Sequence, residues 1–140
     1  VNGRLPYTIL QPARYMQHLE PLLPQVRDGL HAMPFDVDAR FNVVDLEDVA
    51  EVVARAVVEP RMRGGTFELA GPKALSQRDM AATLATLLQR PVEARALSWQ
   101  ALRERALAAG ASDDRVEQML VMNRHYDRHG MLGSPLVLET

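Results

Sequence analysis

The amino-acid sequence predicts an α/β protein, and three observations carry that prediction. Short apolar runs, such as Tyr7 to Leu10 and Phe41 to Val44, alternate along the chain with longer stretches of helical spacing. Residues able to cap free helical N–H groups (Asp45, Ser76, Ser98 and Ser112) open those stretches. Prolines and glycines close them.

Tyr7 to Leu10 reads as a buried strand that stops at Gln11-Pro12 and turns outward into a loop reaching Tyr15. Tyr15, Met16, Leu19, Leu22, Leu23 and Val26 recur at helical spacing, and Pro21 and Pro24 make that helix short or interrupted. His31 to Phe35 is a brief strand, and Asp36-Val37-Asp38 a turn. Arg40 to Val44 is the next strand. Asp45 then caps a helix through Leu46, Val49, Val53 and Val57 that ends before Pro60, with Asp48 placed as the second half of a capping box. This helix is apolar on more than one side, so it is expected to pack on both sides or against a broad sheet. Gly64-Gly65 is a turn and Thr66 to Leu69 a strand. Ser76 with Asp79 opens a helix presenting Met80, Leu84, Leu87 and Leu88. Val92 to Leu97 is a strand, Ser98 caps a helix through Trp99 and Leu102, and Ser112 opens the last, with Val116, Met119, Leu120, Asn123 and Tyr126.

The chain has 140 residues, which suits a single domain, and 47% of them are apolar, enough for a core. A net charge of −2 with both signs interspersed gives no footprint for nucleic acid or an anionic membrane. No apolar run approaches the length of a spanning helix. The lack of cysteine excludes thiolate chemistry and disulfides and fits the cytoplasm. Val1 is not a methionine and the first apolar run follows almost at once, as expected of a chain whose beginning lies upstream.

In an α/β protein ligands sit at the carboxyl ends of parallel strands, which directs attention to Gln11 to Tyr15 and to Asp45 to Asp48. Tyr15 either anchors the first helix or lines a pocket mouth with Arg14, whose guanidinium suits a phosphate or carboxylate. Asp45, Glu47 and Asp48 are explained by capping and by the helix dipole. His125 and His129 share a helical face at zinc-ligand spacing, but without a third ligand they read as a solvated helix end, and no metal site is assigned. No glycine-rich phosphate loop and no nucleophile elbow occurs.

Three segments in order resemble the C-terminal part of NmrA-like atypical short-chain dehydrogenases/reductases. They are Leu5 to Met16, Phe41 to Ala50, and Gly65 to Pro72 followed by Ala74-Leu75-Ser76. The resemblance implies part of a Rossmann-like NmrA-type fold with a helical substrate-side region, and NAD(P) as cofactor of the full-length parent. By it, Gln11, Pro12, Ala13, Arg14 and Tyr15 line the nicotinamide end of the cofactor and the substrate cleft. Gln11 departs from the arginine usual there. The glycine-rich loop and the catalytic residues are expected upstream of Val1, so this chain alone is expected to bind no cofactor and to be inactive. The parent is then a reductase of small carbonyls or quinones, or a dinucleotide-sensing regulator without turnover. The rival reading is a stand-alone module that dimerises or domain-swaps through an exposed sheet edge.

Overall fold

The computed structural model describes residues 6–139; Val1 and Leu5, where the chain and the first resembling segment begin, lie outside them. In chain order the elements are β1 (Ile9–Pro12), β2 (Arg14–Tyr15), a 3-10 helix (Met16–Leu22), α1 (Leu23–Arg27), β3 (Leu30–Met33) and β4 (Phe41–Val44). There follow α2 (Leu46–Val58), a 3-10 turn (Pro60–Met62), β5 (Thr66–Leu69), β6 (Ala74–Leu75), α3 (Gln77–Leu88), β7 (Glu93–Ala96), α4 (Trp99–Ala108) and α5 (Asp113–His129). They fall into two compact units: Val1–His18, Asn42–Ala74 and Leu132–Thr140 form one, Leu19–Phe41 and Leu75–Met131 the other.

In the first unit β1 runs parallel to β5, with Ile9 opposite Thr66 and Pro12 opposite Leu69. The chain does not turn away at Gln11-Pro12. It stays extended, and β2 pairs in parallel with β4, Arg14 opposite Val43 and Tyr15 opposite Val44. The reason Pro12 is tolerated lies in the ladder. Ile9 and Ala13 donate their N–H groups to Gly65 and Leu69, so odd-numbered residues face β5. Pro12 faces the opposite edge, where its missing N–H removes no bond to β5. Leu10, Ala13 and Tyr15 all pack on one core with Val44, Val52, Met62 and Leu69. Side-chain phase therefore slips by one residue between β1 and β2, as at a bulge.

Asp45 caps α2 as its sequence predicts, accepting from the Glu47 N–H at 2.8 Å. The helix lays Val49, Val52 and Ala56 on that core, and Val137 and Leu138 of the tail join it. Its other apolar side is open: Val53, Val57 and Val58 are exposed.

The second unit pairs β3 with β7 in parallel, Leu30 opposite Glu93 and Met33 opposite Ala96, and packs α3 against both. Met33, Phe35 and Phe41 form its core, the two rings 4.7 Å apart, with Tyr126 against them. Ser76 and Asp79 complete a capping box at the start of α3. The buried face of α3 is Gln77, Met80 and Ala81; Leu87 and Leu88 are exposed, contrary to the expected stripe. The helix closes at Gln89, left-handed at the C-cap. Arg103 of α4 pairs with Asp113 and Glu117 of α5. Arg124 lies 5.7 Å from the centre of the Trp99 ring, and Val116, Leu120 and Asn123 are buried.

Candidate functional site

The first unit gathers polar residues at the carboxyl ends of β1, β2, β4 and β5. All five residues singled out there, Gln11, Pro12, Ala13, Arg14 and Tyr15, lie on one extended run, not on a loop. Gln11 is exposed and the other four are half-buried. Because successive side chains leave a strand on opposite faces, Tyr15 enters the α2-covered core while Arg14 leaves on the other side. Tyr15 thus packs on that core, and the Arg14 side chain lies on the other face. Burial strips water from its guanidinium and pulls its pKa down to about 10, so it is still cationic at neutral pH.

Residues not singled out in the sequence complete the region. His18 meets Tyr15 edge-on, ring centres 5.8 Å apart. Gln17 donates to Asp45 Oδ2 at 3.2 Å and accepts from the Leu46 N–H at 3.3 Å, while Asp45 accepts from the Glu47 N–H and not from Asp48 as the expected capping box would have it. Their only sequence signal is the spacing from Tyr15. Asn42, buried at the base of β4, donates to the Gly71 carbonyl at 2.8 Å and accepts from the Gly133 N–H at 3.2 Å. Gly71 in turn donates to the Val43 carbonyl at 2.8 Å. A Cβ on Gly71 would sit 2.6 Å from that carbonyl oxygen, so only glycine fits.

A phosphate needs the free N–H groups of a helix start. The start of α2 is filled by Asp45, with Glu47 and Asp48 adding negative charge, and that of α3 by Ser76 and Asp79. Arg14 carries a partly desolvated cation at strand ends, and a guanidinium is a group that suits carboxylate and phosphate oxygens. In the second unit His125 and His129 lie with ring centres 4.7 Å apart. Among the described residues no group of three or more potential ligands could hold a metal.

Parallel strands carrying helices, with polar residues at their carboxyl ends, are the layout of Rossmann-like α/β proteins. No family model matches the chain. It is 26% identical over 114 residues to the NAD(P)H azoreductase of Xenophilus azovorans, covering 81% of this chain and 40% of that one. It is 28% identical over 107 residues to (4-alkanoyl-5-oxo-2,5-dihydrofuran-3-yl)methyl phosphate reductase of Streptomyces griseus, covering 76% and 38%. Among solved structures, the NADPH-dependent quinone oxidoreductase of Escherichia coli aligns with TM-score 0.78 at 20% identity, over 94% of this chain and 48% of that one. A Citrobacter triphenylmethane reductase, solved with NADP(H), aligns with TM-score 0.77 at 18% identity over 92% and 46%. The expected α/β portion of a Rossmann-like NmrA-type fold is therefore present, and the relatives are reductases, the azoreductase and the quinone oxidoreductase being NAD(P)H- and NADPH-dependent by name. The chain spans less than half the length of these proteins. Among the described residues no helix is long and apolar enough to cross a membrane.

Proposed function

We propose that this chain is the substrate-side portion of an NAD(P)H-dependent reductase. In this reading the run Gln11, Pro12, Ala13, Arg14 and Tyr15 lines the junction of nicotinamide and substrate. One observation carries it: an extended segment bridges two parallel strand pairs and presents a half-buried arginine at their carboxyl ends. Bound NAD(P)H would supply the hydride. Arg14 would orient a polar group of cofactor or substrate, Tyr15 would anchor the run on its core, and Asn42 would fix Gly71 beside them. Small carbonyl or quinone compounds are the substrates favoured, since the relatives are reductases of small molecules. Such an enzyme would draw on the cytoplasmic dinucleotide pool.

The test uses a chimera in which the part of the Xenophilus azovorans azoreductase unmatched by this chain is joined ahead of Pro6. The isolated chain should bind NADPH with Kd above about 1 mM, for want of a phosphate cradle. The chimera should bind it in the micromolar range and reduce a quinone or azo dye. Arg14→Met should lower kcat/KM by about tenfold or more, the loss of one charge-assisted hydrogen bond. Unchanged kinetics in Arg14→Met would remove the site from this run. NADPH binding without turnover would favour a dinucleotide-sensing regulator.

A second reading, a homodimer through the outer edge of β1, is favoured by the exposure of Tyr7 and Ile9. Light scattering that reports a discrete dimer across a wide concentration range would support it.

A further inference from the structure

Helix α2 starts at the carboxyl end of β4 and finishes beside an open slot of ≈ 220 Å³ that the proposed reading does not use. The slot is lined from the first unit alone: Arg55 and Glu59 at the end of α2, Arg61 and Met62 of the 3-10 turn, Phe67 of β5, and Leu136 and Val137 of the tail. Local sequence builds it. Pro60 cannot continue the helix, so the chain leaves α2 at Glu59 and tightens into the 3-10 turn, where the Met62 N–H donates to the Glu59 carbonyl at 3.1 Å. That turn buries Met62 and leaves Arg61 exposed. A second turn, closed by the Leu138 N–H on the Pro135 carbonyl at 2.9 Å, brings Leu136 and Val137 to the slot. The charged part of the lining is a fixed fork. Each Glu59 carboxylate oxygen accepts from one arginine Nε, that of Arg55 at 3.0 Å and that of Arg61 at 2.7 Å. These bonds, Arg61 first and then Arg55, hold the Glu59 carboxyl below the usual carboxylate range, so the triad carries one net positive charge at neutral pH. Among the described residues the Nη groups of both guanidiniums have no hydrogen-bond partner. So exposed an ion triad adds little to stability, which does not account for two cations beside an apolar slot.

We infer that this slot binds a small aromatic monocarboxylate, its ring among Met62, Phe67, Leu136 and Val137 and its carboxylate on the Nη groups of Arg55 and Arg61. Charge, shape and size select that class. A planar guanidinium matches the two oxygens of a carboxylate with parallel N–H bonds. One net positive charge is balanced by a monoanion, whereas a phosphate dianion would leave excess negative charge next to Glu59. A ring finds favourable partners in the Phe67 ring and the Met62 thioether. A cavity of about 150 Å³ already holds benzene, so ≈ 220 Å³ admits one ring with its carboxylate. Helix α2 is about 20 Å long, with Asp45 at its start and Glu59 at its end, so this site stands apart from the run that carries Arg14.

The test follows amide NMR spectra of the nitrogen-labelled chain during titration with benzoate, benzamide, acetate and inorganic phosphate in turn. Benzoate should saturate with Kd of about 1 mM or below, moving the amides of Arg55, Glu59, Arg61, Phe67 and Val137. Benzamide keeps the ring without the charge, and acetate the charge without the ring. Each should bind at least about tenfold more weakly than benzoate, as should phosphate. Arg61→Gln and Leu136→Glu, both at exposed side chains, should each weaken benzoate at least about fivefold. Arg63→Gln removes a neighbouring cation outside the slot and should change the Kd less than about twofold. Should one variant lose its dispersed spectrum, the other decides. Benzamide binding as tightly as benzoate would leave an apolar slot without an anion site and overturn the inference. So would phosphate binding as tightly as benzoate, benzoate shifts confined to other surfaces, or an unchanged Kd in folded Arg61→Gln or Leu136→Glu. Light scattering that reports a dimer whose dilution moves the same amides would give the slot to a second copy and equally overturn it. No dinucleotide enters the titration, so its result is independent of the reductase reading.

Discussion

Gly71 is the residue whose identity the geometry fixes most tightly. Its missing side chain lets the end of β5 lie against the Val43 carbonyl, and an alanine Cβ would meet backbone oxygen, which cannot swing aside. Gly71→Ala should therefore destabilise the chain by roughly 1–3 kcal/mol, the usual cost of forcing atoms into a packed position. Urea denaturation measures it, and a loss below about 0.5 kcal/mol would contradict the close approach. Asp79 illustrates a different control. The Ser76 backbone N–H first, then the Ser76 hydroxyl and Arg40, hold its carboxyl below the usual carboxylate range. A carboxyl whose pKa is lower folded than unfolded stabilises the fold fully above the unfolded pKa and loses that contribution as pH falls through the depressed one. Stability should accordingly drop more steeply below about pH 4 in the parent chain than in Asp79→Asn. Identical acid profiles would show that the capping box contributes nothing through charge.

At the scale of elements, capping chemistry is the most legible signal. Asp45 and Ser76 stand at the predicted helix starts, and Ser98 caps α4 by accepting from the Ala101 N–H at 3.1 Å. These are contacts within one turn, set by local sequence alone. Ser76→Ala should cost about 1 kcal/mol, the ordinary value of an N-cap, and a neutral result in denaturation would contradict that. Pro12 reads as a stop because proline usually ends a strand, whereas its effect depends on which edge it faces. That edge is a property of the register with β5. Gln11→Pro, which would remove an N–H facing β5, should destabilise by about 1–3 kcal/mol, and Pro12→Ala should change stability by less than about 0.5 kcal/mol. Equal effects, measured by thermal denaturation, would show the edge assignment to be reversed. Leu87 departs from its expected place for a related reason. Helical spacing names a face but not how far the neighbouring layer extends, and that layer stops short of the last turn of α3. The twin apolar sides of α2 are visible in the sequence, but which side the chain itself covers is not.

For the molecule as a whole, the ordered set of three segments pointed to the fold, and the structural likeness bears that out. The candidate site was legible in part. Arg14 and Tyr15 stand out because strand ends hold ligands in α/β proteins, while Gln17, His18 and Asn42 act through contacts that no local pattern announces. On the proposed reading, the chain contributes one side of a cleft and other polypeptide the phosphate-binding side, in keeping with the occupied starts of α2 and α3. The measurement that tests this most directly is amide hydrogen exchange on the chimera with and without NADPH. Slowed exchange in the peptide spanning Gln11 to Tyr15, with α4 and α5 unchanged, is the predicted result. Protection confined to the azoreductase-derived part, with Gln11 to Tyr15 exchanging as before, would contradict it.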